Sequence, residues 1–199
     1  MTERPPEHSA NGIPEPESER SRWPSPRIYV ASLSDYNDGA LHGAWIDAAQ
    51  DEADLREDVN EMLERSPSPV AEEWAIHDYD GFGALRLEEY DSLRNVARVA
   101  TGITEHGPAF AAWASIVGID SDRLDDFDSA YMGEWENGSA WAEESVNDLG
   151  LLEPLMDALS PLLRPYVSID FEGYFRDLVA NGDISVVEKD DGGIYVFWD

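Results

Sequence analysis

Between Trp45 and Arg65 the chain reads WIDAAQDEADLREDVNEMLER, and the spacing within this stretch restricts the fold more than any other feature of the sequence. At ~100° per residue, Leu55, Val59, Met62 and Leu63 share one face with Trp45 and Ala48, which predicts a helix beginning near Asp47 with an apolar side to bury. Asp47, Asp51, Asp54, Asp58 and Glu61 recur beside that face at i, i+4, i+7, i+11 and i+14. Each carboxylate then stands ~4.5 to 6 Å of helix rise above the last. Glu52 turns toward the apolar side, and Arg65 suits the helix C-terminus, where partial negative charge accumulates.

Such a stripe works against its own helix, because each like-charge pair at i,i+4 costs about a few tenths of a kcal/mol. Local folding gives no reason to build it. A DNA strand is also a row of negative charge, one per ~3.4 Å of helix axis, and DNA-binding proteins are shaped to meet that row. The stripe reads as an imitation of phosphate.

The whole chain has the same bias: 43 acids against 13 bases among 199 residues, a formal net charge of -30. Residues 1–26 hold five of the acids and three of the bases, leaving -28 for the remainder. Seven Trp, eight Tyr and six Phe supply apolar matter for real cores, so whole-chain disorder is excluded despite the charge. A surface this acidic repels nucleic acid and anionic membrane and attracts basic partners, with strong salt dependence. There is no cysteine, hence no disulfide framework and no thiolate chemistry. No run of eighteen apolar residues occurs and the N-terminus lacks a signal-peptide core, so the expected location is cytoplasmic.

In order, residues 1–26 are rich in Pro, Glu and Ser and read as a disordered leader. Arg27 to Leu33 is a strand, Ser34 to Gly39 a turn-rich loop, and Leu41 to Ile46 a continuation of the sheet ahead of the acidic helix, which Pro67 and Pro69 stop. Trp74 to Asp80 is a second strand and Gly81-Phe82-Gly83 a turn. From Glu88 the period becomes helical through Tyr90, Leu93, Val96, Ala97 and Ala100, punctuated by Gly102 and Gly107-Pro108, with a short apolar helix over Ala109 to Val117. Asp120 to Glu153 is a second acidic block, containing Asp120, Asp122, Asp125, Asp126, Asp128, Glu134, Glu136, Glu143, Glu144 and Asp148, with Tyr131, Trp135 and Trp141 anchoring it to a core. Leu151 to Leu163 and Asp170 to Ala180 are helical, and Ile184 to Val187 with Ile194 to Trp198 make a terminal hairpin. The expected fold class is α+β: after the leader at 1–26, an N-terminal α+β domain over 27–86, a helical middle over 87–127 and a C-terminal α+β domain over 128–199.

Chemical motifs are weak. His8, His42, His77 and His106 are scattered, none at the spacing of a zinc-binding helix. Asp120 to Asp125 opens like a calcium loop, but Leu124 stands at its fifth position and Asp125 where a glycine is required. Ser32, Ser34, Asp35 and His42 offer a nucleophile set on paper without the strand-to-helix turn that would expose a serine. Among 43 acids some pair always suits a carboxylate-dependent hydrolase, so composition carries no signal for one. The expectation is no enzyme, no cofactor and no metal. On composition alone, a solubilising acidic surface like that of halophiles is the simpler reading, and phosphate mimicry stands beside it.

Sequence likeness shifts that balance. Arg27 to Leu33, followed by Asp35-Tyr36-Asn37, Gly39, Leu41-His42-Gly43 and Trp45-Ile46-Asp47-Ala48, resembles the opening of the ArdA antirestriction family. The likeness continues through Glu73 to Tyr79 with Gly81-Phe82-Gly83, then Leu87 to Tyr90, His106-Gly107 with Ala109 to Trp113, and more thinly from Phe127 to Leu149. The resemblance implies an elongated chain of three small domains and dimerisation through the last. It also implies evasion of host defence on behalf of a mobile genetic element, by mimicking B-DNA in the groove of the methyltransferase core of type I restriction-modification enzymes. Such a protein binds no nucleic acid itself. The leader has no counterpart in the likeness.

Overall fold

The structure, a computed structural model, describes residues 23–150 and 152–199. The leader read over 1–26 therefore lies outside the described residues except for its last four. The first unit runs β1 (Arg27–Ser32), α1 (Leu33–Asn37), β2 (Gly43–Asp47), α2 (Glu52–Glu64) and β3 (Trp74–Asp80). Its sheet is antiparallel with β1 central, in the order β2-β1-β3. Ile28 faces Ile46, and Val30 faces Ala44 on one side and Ile76 on the other. These residues turn inward onto Leu55, Val59 and Met62 of α2.

Two local expectations change here. Ser34 to Gly39 is not an open loop. The Ser32 hydroxyl accepts from the Asp35 backbone N–H at 3.4 Å and starts α1. The Asp35 carboxylate, only 3% exposed, accepts from the Ser66 hydroxyl at 2.5 Å. Hydrogen bonds from Ser32 and then Ser66 hold its carboxyl below the usual range, although burial pushes the other way. A carboxylate lowered on folding stabilises the fold above its ordinary value near pH ~4, and that share is lost as pH falls through the lower folded value. Asp35→Asn should therefore be less stable than the parent at about pH 6, and urea melts should show it losing less of its stability than the parent does on going to about pH 3.

The second change concerns the acidic helix, which begins at Glu52 with Asp51 as its N-cap residue, not near Asp47. Asp47 is the last residue of β2, opposite Arg27. Its carboxylate accepts from the Ala49 N–H at 2.9 Å and the Ser25 hydroxyl at 2.6 Å, which turns the chain before the helix starts. Trp45 and Ala48 thus belong to the strand and the turn.

The helical middle is α3 (Leu93–His106) followed by α4 (Pro108–Val117). Ser92 caps α3, accepting from the Asn95 N–H at 3.3 Å, so Tyr90 precedes the helix and stays exposed. Gly107, at φ 77°, ends α3, and Pro108 restarts the chain as α4. Gly102 is not punctuation. It lies inside α3, where a Cβ would come within 2.3 Å of the buried Phe110 ring. Alanine gains about 1 kcal/mol over glycine in a helix, but overpacking costs about 1–3 kcal/mol, and the ring is hemmed in by Phe127 at 5.2 Å and His106 at 5.6 Å. Gly102→Ala is expected to lower stability by about 1 kcal/mol in denaturant melts rather than raise it.

The remainder follows as a 3-10 turn at Asp122–Asp126, α5 (Phe127–Ala130), β4 (Tyr131–Trp135), α6 (Gly138–Asp148), α7 (Leu152–Ala158), α8 (Phe171–Asn181), β5 (Ile184–Glu188) and β6 (Ile194–Trp198). The second sheet is antiparallel in the order β4-β6-β5, with the expected terminal hairpin as its β5–β6 half. β4, hidden from sequence inside the second acidic block, supplies the third strand. The helix expected over Leu151 to Leu163 stops at Ala158; Leu151 itself lies outside the described residues. Asp170 caps α8 and Gly182, in the left-handed region, ends it. One core runs from the first sheet through α3 and α4 to Tyr195 and Phe197 of β6, and a smaller one gathers Trp141, Ala142, Ile184 and Val196.

Candidate interaction surface

All fifteen acids singled out from the sequence are exposed. Their supports differ. Asp54, Asp58 and Glu61 project from α2, whose opposite side is sunk in the core through Leu55, Val59 and Met62. Asp51 stands at the helix start and Asp47 at the end of β2, so the five do not form one helical stripe. Gln50 ties part of the row together, its side-chain amide donating to the Asp47 carbonyl and to the Asp58 carboxylate, both at 2.8 Å. Sequence reasoning passed over Glu57 and Glu64, which are exposed on the same helix. With them α2 carries six acids against Arg56 alone. Arg56 pairs with Glu52 at 2.7 Å and Arg65 with Glu61 at 2.6 Å, both one helical turn apart and exposed. Such pairs are worth about 0.3–0.5 kcal/mol and partly offset the repulsion between the acids.

The second block is spread over more kinds of backbone. Asp120 precedes the 3-10 turn that carries Asp122, Asp125 and Asp126, Asp128 follows on α5, and Glu134 is on β4. Glu136 lies in the following loop, with Glu143, Glu144 and Asp148 on α6. Arg98 of α3 holds the 3-10 turn in place, donating to the Ser121 carbonyl at 3.1 Å and the Asp125 carboxylate at 2.7 Å. Lys189, the only lysine, is enclosed by Glu134 and Asp191, the latter at 3.2 Å. Its hydrogen bond to Glu134 chiefly raises its pKa, so the Lys189 ammonium stays charged. Burial, and then the Glu134 charge, raise the phenol values of Tyr131 and Tyr195 beside it.

The ends of the two blocks meet. A cleft of about 550 Å³ is lined by Asp51 and Glu52 from the start of α2, by Arg94, Arg98, Glu105 and His106 from α3, and by Asp125 and Asp128 from the second block. His106 lies 3.8 Å from both Glu105 and Asp128 and stacks on Phe110 at 5.6 Å. The remaining acids of the two blocks do not line this cleft. Arg98 is paired with Asp125 and His106 faces Glu105 and Asp128, Arg94 has no carboxylate within 4 Å among the described residues, and the five acids of the lining outnumber these basic groups. This surface suits a basic macromolecule better than a small anionic ligand.

A family model described as antirestriction protein (ArdA) matches residues 28–191, from β1 to the turn before β6. The chain belongs to the ArdA antirestriction family. No curated protein matches it significantly. Family membership supports an antirestriction function, with restriction-modification enzymes as the partners. The match takes in all fifteen acids singled out above, which lie between 47 and 148. Among the described residues no helix is long and apolar enough to cross a membrane.

Proposed function

We propose that this ArdA chain blocks type I restriction-modification enzymes by standing in for B-DNA. Its carboxylates take the positions of phosphates in the Arg- and Lys-lined groove of the methyltransferase core. The observation that carries this reading is α2, a helix with six acids outside and Leu55, Val59 and Met62 locked inside, so the charge is held on a rigid support instead of a solvated tail. Fixed charge lets many weak contacts act together. Each exposed pair contributes ~0 to 1 kcal/mol, and the field of the set draws in the basic groove. The site of action is the cytoplasm, where such enzymes meet incoming DNA.

The test is competition. A purified type I enzyme holding a labelled duplex is titrated with the protein at several salt concentrations. Displacement at near-stoichiometric amounts, weakening as salt rises, is the expected result. If the acids serve only to keep the protein in solution, the duplex stays bound even at about a hundredfold excess, a result that would remove the proposal.

We further propose a homodimer through the C-terminal region. α7 buries none of its residues, and Leu162 and Tyr166, at 81% and 85% exposed, leave an apolar surface that a second copy would cover. Sedimentation velocity should show a dimer for the parent and a shift to monomer for Leu162→Asp combined with Tyr166→Asp; a parent that sediments as a monomer at micromolar concentration rules it out.

A further inference from the structure

At its Arg27 end the first sheet packs on one face only, whereas at the other end Ala31 and Ala75 are buried on the second face as well. Ile28, Val30, Ile46 and Ile76 point into the core, and the positions alternating with them at the open end face solvent. There Tyr29 of β1 stands opposite Trp45 of β2, with ring centroids 5.6 Å apart. Gly43 makes room for this pair: a Cβ on it would lie 2.8 Å from the Tyr29 ring and hydroxyl. Covering a strand glycine accounts for Tyr29. It does not account for Trp45, which remains 43% exposed. Over Trp45 sits a guanidinium, Arg27, with its central carbon 4.8 Å from the ring centroid. Arg27 also donates through Nε and Nη2 to the Asp80 carboxylate at 3.2 and 3.0 Å. Asp47 faces Arg27 on β2, and Asp78 faces Tyr29 on β3. These outward positions therefore hold three exposed carboxylates and one cation.

We infer that this face binds an arginine-bearing segment of a partner protein. The protein's own Arg27 displays the chemistry: a planar guanidinium laid on indole while its forked donors engage a carboxylate. With Asp47 and Asp78 left over, the face stays anionic after Arg27 is matched, so a second guanidinium gains both charge and stacking. An ammonium gains charge with a weaker hold on the ring, which makes the surface selective for arginine over lysine. This contact needs no duplex-like row, and although Asp47 belongs to both surfaces, Trp45, Arg27, Asp78 and Asp80 lie outside the acids assigned to mimicry.

The experiment uses the full chain with end-capped octa-arginine and octa-lysine peptides at near-physiological salt, with affinities measured by calorimetry. The parent should bind octa-arginine more tightly than octa-lysine. Trp45→Leu, which keeps apolar bulk and removes the aromatic face, should cut that ratio about threefold and leave octa-lysine affinity in place. Trp45→Phe keeps a ring and should fall between them, and circular dichroism melts confirm that each variant is folded. A parent that binds the two peptides alike, or a folded Trp45→Leu with the parental ratio, overturns the inference.

Discussion

Neutralising Asp54, Asp58, Glu61, Asp122, Asp125, Asp126 and Asp128 together, as Asn or Gln, is expected to raise the concentration needed for half-inhibition of a type I enzyme about a hundredfold. Each of the seven changes alone should move it less than about threefold. The contrast follows from how exposed charge works. At about 0.4 kcal/mol apiece, within the usual range for solvated pairs, seven losses amount to about 2.8 kcal/mol, a factor of about one hundred in affinity. The amides preserve shape, and Asn at 125 still offers an oxygen to Arg98. The fold should hold, because removing seven negative charges from a chain at -30 relieves self-repulsion. The variant should melt at or above the parental temperature in low salt while inhibiting poorly, and the gap between the two proteins should narrow as salt is added. Full inhibition by the seven-site variant would sink mimicry, and loss of inhibition from one folded single variant would mean a specific lock in place of a field.

Much of the fold was legible because its signals are local. β3 lies between Glu73 and Gly81 as read, and α8 carries its own start and stop in Asp170 and Gly182. The start of α2 was not legible, for a definite reason. Asp47 and Asp51 are both good capping residues, and the ~100° period of the apolar face runs back through Ala48 and Trp45 without a break. What decides between them is tertiary: Asp47 is held in the ladder opposite Arg27. The same holds for Gly102, whose place inside α3 depends on Phe110 from the next helix, and for β4, which is a strand because β6 pairs with it. Asp35 looked like part of a nucleophile set and is instead a buried anchor for Ser32 and Ser66. At the surface, charge density could be read from composition alone. The meeting of Asp51 with Asp125 and Asp128 at one cleft could not, since it depends on how α3 carries the 3-10 turn back toward α2.

Trp113→Ala should be the most damaging single change to stability, at about 4 kcal/mol. Trp113 is fully buried in α4, its indole N–H donates to the Arg123 carbonyl at 2.9 Å, and its ring lies 5.3 Å from Phe197 of β6. It therefore joins the helical middle to the second sheet and to the turn bearing the second acidic block. Truncation removes the ring, leaves a cavity and strips the Arg123 carbonyl of its donor, and large aromatic deletions of this kind cost about 3–5 kcal/mol. For a chain of this size, each kcal/mol moves the melting temperature by about 2–4 °C, so a fall of about 8–16 °C is expected. Trp113→Phe retains most of the volume and loses the hydrogen bond, which should make its fall much smaller. Added salt should recover part of the loss in both, because screening eases the repulsion that the weakened core must hold against. Since the core containing Trp113 reaches from the first sheet to β6, the damage should appear as one earlier transition. A separate early melting step, with the remainder unfolding at the parental temperature, would show that the two ends of the chain are held independently of this ring.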